Sequence, residues 1–200
     1  MNKAQRKRII DRHSDSLKRY GYHPNALYWS NKDVQDIRFA VLAEIGVASG
    51  DSVLDVGCGF ADLKRWFDTR GMMVDYTGID ISPDLIAVAR QHHPHTDLWV
   101  GELHDGRFKA RSFDWILLSG ALNEPYHDKG KYTRKVIKEM YRLCRKGVAF
   151  NLLNANVVQA FDLQSFQPDE MLEFCKTLSP ACQLKTGYLD NDFSIYMLKP

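Results

Sequence analysis

Residues 52–63 read SVLDVGCGFADL, a short apolar strand carrying Asp55 that runs straight into glycines at 57 and 59. A buried strand that stops on such a turn brings backbone close to a ligand, because glycine leaves no side chain in the way. The elements on either side say what kind of fold holds the turn.

From Asp33, the pattern DVQDIRFAVLAEIGV places Val34, Ile37, Val41, Leu42 and Ile45 at helical spacing, and SGD breaks it before the first strand, 52–56. DLKRWFDTRG is a helix closed by Gly71, and VDYTGID a second strand ending at Asp80. Ser82 then caps a helix with Pro83 at its first position. TDLWVGE is a short third strand, and SFDWILLSG a fourth whose apolar run suits burial on both faces. KYTRKVIKEMYRLCRKG reads as a helix with Gly147 past its end, VAFNLLN as the fifth strand and PDEMLEFCKTL as a further helix. The last stretch, CQLKTGYLDNDFSIYMLK, is a hairpin turning near residues 190–192. Strands alternating with helices predict an α/β fold: a doubly wound, mostly parallel, Rossmann-like sheet of seven strands with an antiparallel terminal hairpin. The expected division is a helical cap or lid over 1–50, a cofactor-binding core over 51–153, and a C-terminal helix and hairpin over 154–200.

Length and composition fit one soluble domain: 200 residues, 44% hydrophobic and 26% charged. No apolar run approaches the roughly 18 residues that span a bilayer, and the charged start MNKAQRKRIIDRHSD lacks a secretory core. A cytoplasmic protein without a membrane partner is expected. The four cysteines form no CxxC pair, which reads as reduced thiols. His92 to His95, HHPH, has no second cluster beside it and reads as a solvated helix end, so no metal is expected. Residues 1–24 hold seven Lys or Arg against two Asp, while the rest of the chain is slightly acidic. Such an arm is either a solvated helix face or an attractor for nucleic acid or an acidic substrate.

In a doubly wound sheet, ligands sit beyond the carboxyl ends of the strands at the topological switch point. Those ends carry Asp55 with Gly57, Cys58 and Gly59; Asp80; Glu102 with Leu103; and Ser119 with Gly120. Asp80 lies 23 positions after Gly57, about where a nucleotide fold offers an acid to ribose hydroxyls. A dinucleotide site needs a third glycine where this chain has Asp62, and a carboxylate there competes with a diphosphate for the helix N-terminus. Two acids and no phosphate cradle suit an adenosine that carries positive charge. Asp55 and Asp80 could otherwise simply cap the helices that follow, and Cys58 reads as a small packed residue.

VLDVGCGFADL, YTGIDISPDLIAVAR, VGEL and FDWILLSGALN together resemble, in order and spacing, the successive motifs of class I S-adenosylmethionine-dependent methyltransferases over about residues 41–153. One departure is Ala61, where many members have a third glycine. The resemblance implies S-adenosylmethionine as cofactor and S-adenosylhomocysteine as product. It places the backbone of Gly57, Cys58 and Gly59 by the methionine moiety, Asp55 on the ammonium, Asp80 on the ribose and Ile81 on adenine. Glu102 stands where the family usually has an aspartate near the adenine amino group, so an adenine contact and an ordinary turn carboxylate both fit it. The Leu103 amide would face the adenine edge, and the Ser119 carbonyl the ammonium. For the ligand's carboxylate the candidate is Arg38, with Gln35 on the same side of the helix, and Tyr28 and Trp29 could cover the cofactor; a core Trp29 and a solvated Arg38 are the alternative.

Methyl transfer from a sulfonium needs alignment more than acid–base help, so the acceptor is less legible than the donor. The candidates are Asn123, Tyr126 and His127 in LNEPYHDKGKY, His127 being a possible base. NEPY has only a superficial likeness to the N-P-P-Y signature of amino-methylating nucleic-acid enzymes, with Glu124 in place of proline. Asn151, Asn154 and Asn156 could bind a polar substrate or satisfy turn backbone. With no inserted nucleic-acid module, a small-molecule acceptor is expected, on a monomer or homodimer. RNA or protein methylation, and a non-catalytic binding module, are the alternatives.

Overall fold

The computed structural model describes residues 1–200. Eight strands form one sheet: β1 (Ser52–Val56), β2 (Asp75–Asp80), β3 (Asp97–Val100), β4 (Phe113–Leu118), β5 (Cys144–Asn154), β6 (Ser165–Phe166), β7 (Ala181–Lys185) and β8 (Asp192–Leu198). The order is β3-β2-β1-β4-β5-β8-β7, with the two-residue β6 pairing on β5. Strands β1 to β6 pair in parallel, and β8 runs antiparallel to both β5 and β7. The order reverses between β1 and β4, which puts the switch point beside the glycine turn. The expected strands are all present; β6 was not anticipated, and two residues leave no alternation to read.

Helices α1 (Lys3–Tyr20), α2 (Lys32–Ala43), α3 (Asp62–Asp68), α4 (Pro83–His92), α5 (Lys131–Leu143) and α6 (Pro168–Lys176) cover the sheet, with a 3-10 turn at Pro24–Leu27. Their apolar faces close two main cores, one with Ile116, Ile137, Met140 and Phe150, the other with Leu42, Leu63, Phe67 and Leu117. The Ser82 hydroxyl accepts from the Leu85 amide at 3.3 Å, as the cap-and-proline start requires. One boundary differs: the helix expected to reach Gly147 stops at Leu143, and Cys144 is already extended. Arg145 holds the strand there, donating to Asp114 and to the Arg111 and Ser112 carbonyls. No helix is long and apolar enough to cross a membrane.

The basic N-terminal stretch is α1, and it packs across the strand ends. Gln5 donates to the Tyr126 carbonyl at 2.6 Å, Arg8 to the Pro125 carbonyl at 3.0 Å, and Arg12 pairs with Glu124 at 2.7 Å.

Candidate functional site

A cavity of about 330 Å³ opens beyond the carboxyl ends of β1, β2, β3 and β4. Its floor is the turn after β1. The amides of Gly57 and Cys58 donate to the Ile79 carbonyl at 2.8 and 3.1 Å, and the Gly59 amide donates to Asp80 Oδ2 at 3.0 Å. Gly57 takes φ 72°, and a Cβ there would stand 2.2 Å from that of Ala121. Only glycine fits. Ala61, at the family's third-glycine position, holds a left-handed φ of 60° without a glycine.

Asp55 and Asp80 both line the cavity and both are buried. Tyr76 donates to Asp55 Oδ2 at 2.6 Å, yet burial still pushes the Asp55 carboxyl up to about 7. Asp80 also accepts from the Ser82 amide at 2.8 Å. It therefore ties the glycine turn to the end of β2 and faces the cavity as well, while the cap of α4 is Ser82 and not Asp80. Cys58 lines the wall too, its thiol packed on Gly78 and raised by burial, which makes it a poor nucleophile.

Asp62 lies away from this cavity. At the N-terminus of α3 it accepts from Gln35 Nε2 at 3.1 Å and from Arg65 at 3.1 Å. Its charge still occupies the helix end a diphosphate would use.

Ile81, Glu102 and Leu103 line one end of the cavity; Ser119, Trp29, Gln35 and Arg38 line the other. Glu102 pairs with Arg6 of α1 at 3.6 Å and lies 3.5 Å from the Tyr132 hydroxyl. Arg38 is neither solvated nor free. Its Nε and Nη2 are spent on Asp192 at the start of β8, beneath the Trp29 ring, 4.8 Å from the guanidinium. Nη1 alone remains, beside Gly120. Asn151 holds the turn after β4 from below, its Oδ1 accepting from the Gly120 amide at 3.1 Å. Asn151, Asn154 and Asn156 are all off the cavity wall, and Asn154 caps the Asn156 amide at 3.0 Å. Asn151 and Asn154 thus each accept from a turn amide.

Of the three acceptor-side candidates, the structure brings in two. Asn123 and Tyr126 line the cavity, and Asn123 Oδ1 is buried without a partner. Tyr126 keeps its proton, since burial raises it far above the usual phenol range. His127 is the correction: exposed, at φ 53°, and off the cavity wall, because the turn into α5 points it to solvent. A histidine does reach the cavity, but it is His13 of α1, beside Ile9 and Arg12. The sequence reading missed it, although Ile9, His13 and Leu17 at spacing of four mark an inward stripe.

Residues 53–147 match the family model described as "Methyltransferase domain". A demethylmenaquinone methyltransferase of Listeria welshimeri is 32% identical over 108 residues, covering 50% of this chain and 43% of that protein. The chain thus spans less than half the length of the curated relatives it matches. Among solved structures, phosphoethanolamine N-methyltransferase 2 of Haemonchus contortus, in complex with phosphomonomethylethanolamine and S-adenosylhomocysteine, superposes with a TM-score of 0.67. It is 17% identical, over 94% of this chain and 60% of that one. A methyltransferase solved in complex with the Trm112 activator of Haloferax volcanii gives 0.63 at 16% identity, over 84% and 92%. At such identities the likeness is one of fold.

Proposed function

We propose that the chain, whose residues 53–147 match the family model described as "Methyltransferase domain", is a class I S-adenosylmethionine-dependent methyltransferase that transfers a methyl group to a small-molecule acceptor by in-line displacement. The observation that carries this reading is the pair of buried carboxylates, Asp55 and Asp80, set on one cavity wall around a turn that admits only glycine.

The residues present fit the donor. The turn at Gly57, Cys58 and Gly59 would lie against the methionine moiety, with Asp55 and the Ser119 carbonyl taking the ammonium and Arg38 Nη1 the carboxylate. Asp80 would take the ribose hydroxyls, Ile81 and the Leu103 amide the adenine, and Trp29 would cover the site. Glu102 already has Arg6 beside it, which favours a structural role over an adenine contact. The sulfonium supplies an activated methyl, so what the chain must add is alignment and exclusion of water. Well-oriented pairs gain roughly 7–11 kcal/mol this way. Asn123 supplies a hydrogen-bonding oxygen on the acceptor side, and no general base is required for an acceptor that arrives with a free lone pair.

Two features favour a small acceptor. The cavity is at the lower end of the roughly 300–1,000 Å³ of ligand pockets. The basic arm is also partly engaged: Arg6 pairs with Glu102, Arg8 donates to the Pro125 carbonyl and Arg12 pairs with Glu124, while Lys7 and Lys18 pair with Asp11 and Asp15. Residues 1–50 then act as the lid, 51–153 as the donor-binding core, and 154–200 as the closing edge. Incubation with labelled donor and cell extracts tests this. Label passing to metabolite fractions supports it; label passing only to RNA or protein, or donor binding with no turnover, overturns it.

A further inference from the structure

His13 lines the cavity, and the donor reading leaves it without a task. Its Nδ1 is buried with no hydrogen-bond partner, and nothing bonds Nε2 either. The ring lies 5.5 Å from that of Tyr28, whose hydroxyl donates to the Arg12 carbonyl at 2.9 Å, so the base of the side chain is fixed. The charged groups that face it come from three elements: Asp80 at the end of β2, Glu124 in the loop after β4, and Arg12 on α1 itself. Asp80 pulls on it most strongly, and Glu124 is already taken by Arg12. His13 and Asp80 therefore line one cavity, His13 from the helical cap and Asp80 from the end of β2.

The chemistry of a vicinal diol explains the pairing. Each ribose hydroxyl is a donor and an acceptor, whereas an ionised carboxylate only accepts. Both Asp80 oxygens already hold a backbone amide, and each keeps a lone pair for a hydroxyl proton. The hydroxyl lone pairs then need a donor, and a neutral imidazole provides one N–H together with one lone pair. Burial favours that neutral ring, which also spares a cationic ligand a second positive charge nearby.

We propose that His13 completes the ribose subsite, hydrogen-bonding the 2′,3′-diol of the bound nucleoside from α1 while Asp80 holds it from β2. The proposal rests on the donor reading above and extends it: the helical cap becomes part of the nucleoside site.

The test is calorimetric titration of the full chain with S-adenosylhomocysteine and with its 2′,3′-dideoxy analogue. His13→Ala is expected to weaken the first by about three- to tenfold, the loss of one hydrogen bond. The same substitution should leave the dideoxy ligand within about twofold of wild type. His13→Leu, closer in volume and without polar atoms, meets the same criterion if the alanine variant loses its circular dichroism. A variant that binds S-adenosylhomocysteine as wild type does, or that loses the same factor for both ligands, overturns the ribose contact. Wild-type protein that binds neither ligand overturns the donor reading itself, a different failure.

Discussion

The Tyr76 hydroxyl donates to Asp55 Oδ2 at 2.6 Å, linking β2 to β1 directly beneath the glycine turn. The bond does not offset the desolvation of the carboxyl, which titrates near 7 instead of near 3.8. In the free protein, Asp55 keeps its proton where the unfolded chain has lost it. Its stabilising effect is full below about 3.8 and is lost as pH rises through about 7. A cationic ligand reverses this by favouring the ionised form. Donor affinity should therefore rise with pH up to about 7 and level off, with proton uptake by the buffer during binding below that point. Calorimetry in buffers of different ionisation enthalpy reads both effects. Asp55→Asn should flatten the profile, and a flat wild-type profile would refute the assignment.

Asp80→Ala should cost roughly 1–3 kcal/mol of donor affinity, the range for a hydrogen bond to a charged group. It also strips a partner from the Gly59 and Ser82 amides, so Tm should fall. Unchanged affinity in a folded variant contradicts the ribose role.

Gly57→Ala should unfold the turn or abolish binding, since its Cβ would meet that of Ala121 at 2.2 Å. Adding Ala121→Gly removes the clash but not the left-handed strain. The double variant should recover most stability yet stay about 1–2 kcal/mol below wild type. Urea denaturation of the single and double variants checks this; a double variant no better than the single shows that the clash is not the cause.

Arg38 and Asp192 form a buried ion pair, with side-chain exposures of 8% and 0%. Arg38→Met leaves Asp192 uncompensated and should destabilise by about 3–5 kcal/mol. Adding Asp192→Leu should restore much of it, because two apolar groups need no partners. A single variant losing under about 1 kcal/mol would show the pair to be structurally idle.

The sequence told most about what is local. The strand, glycine turn and acid of residues 52–63 and the Ser82–Pro83 helix start depend on neighbours within a few residues, and each stands where the pattern put it. What it hid depends on distance. Asp192 lies 154 positions from Arg38, and no spacing rule announces that partner. The pairing of Arg6 with Glu102 and of Arg8 and Arg12 with the 124–125 loop depends on how α1 docks, and the same docking makes Ile9, Arg12 and His13 part of the cavity wall. His127 and His13 exchange importance for the same reason: one sits on a turn facing water, the other on the buried stripe of a helix.

A ribose-bearing, phosphate-free cation should bind where β1 and β2 end. Titrating the purified full chain with S-adenosylmethionine, and with ATP and NAD as competitors, tests it most directly. Saturable one-to-one binding of S-adenosylmethionine that neither competitor displaces is the expected result. No binding of it, or tight binding of either phosphate-bearing nucleotide in its place, would rule out a site for the sulfonium nucleoside there.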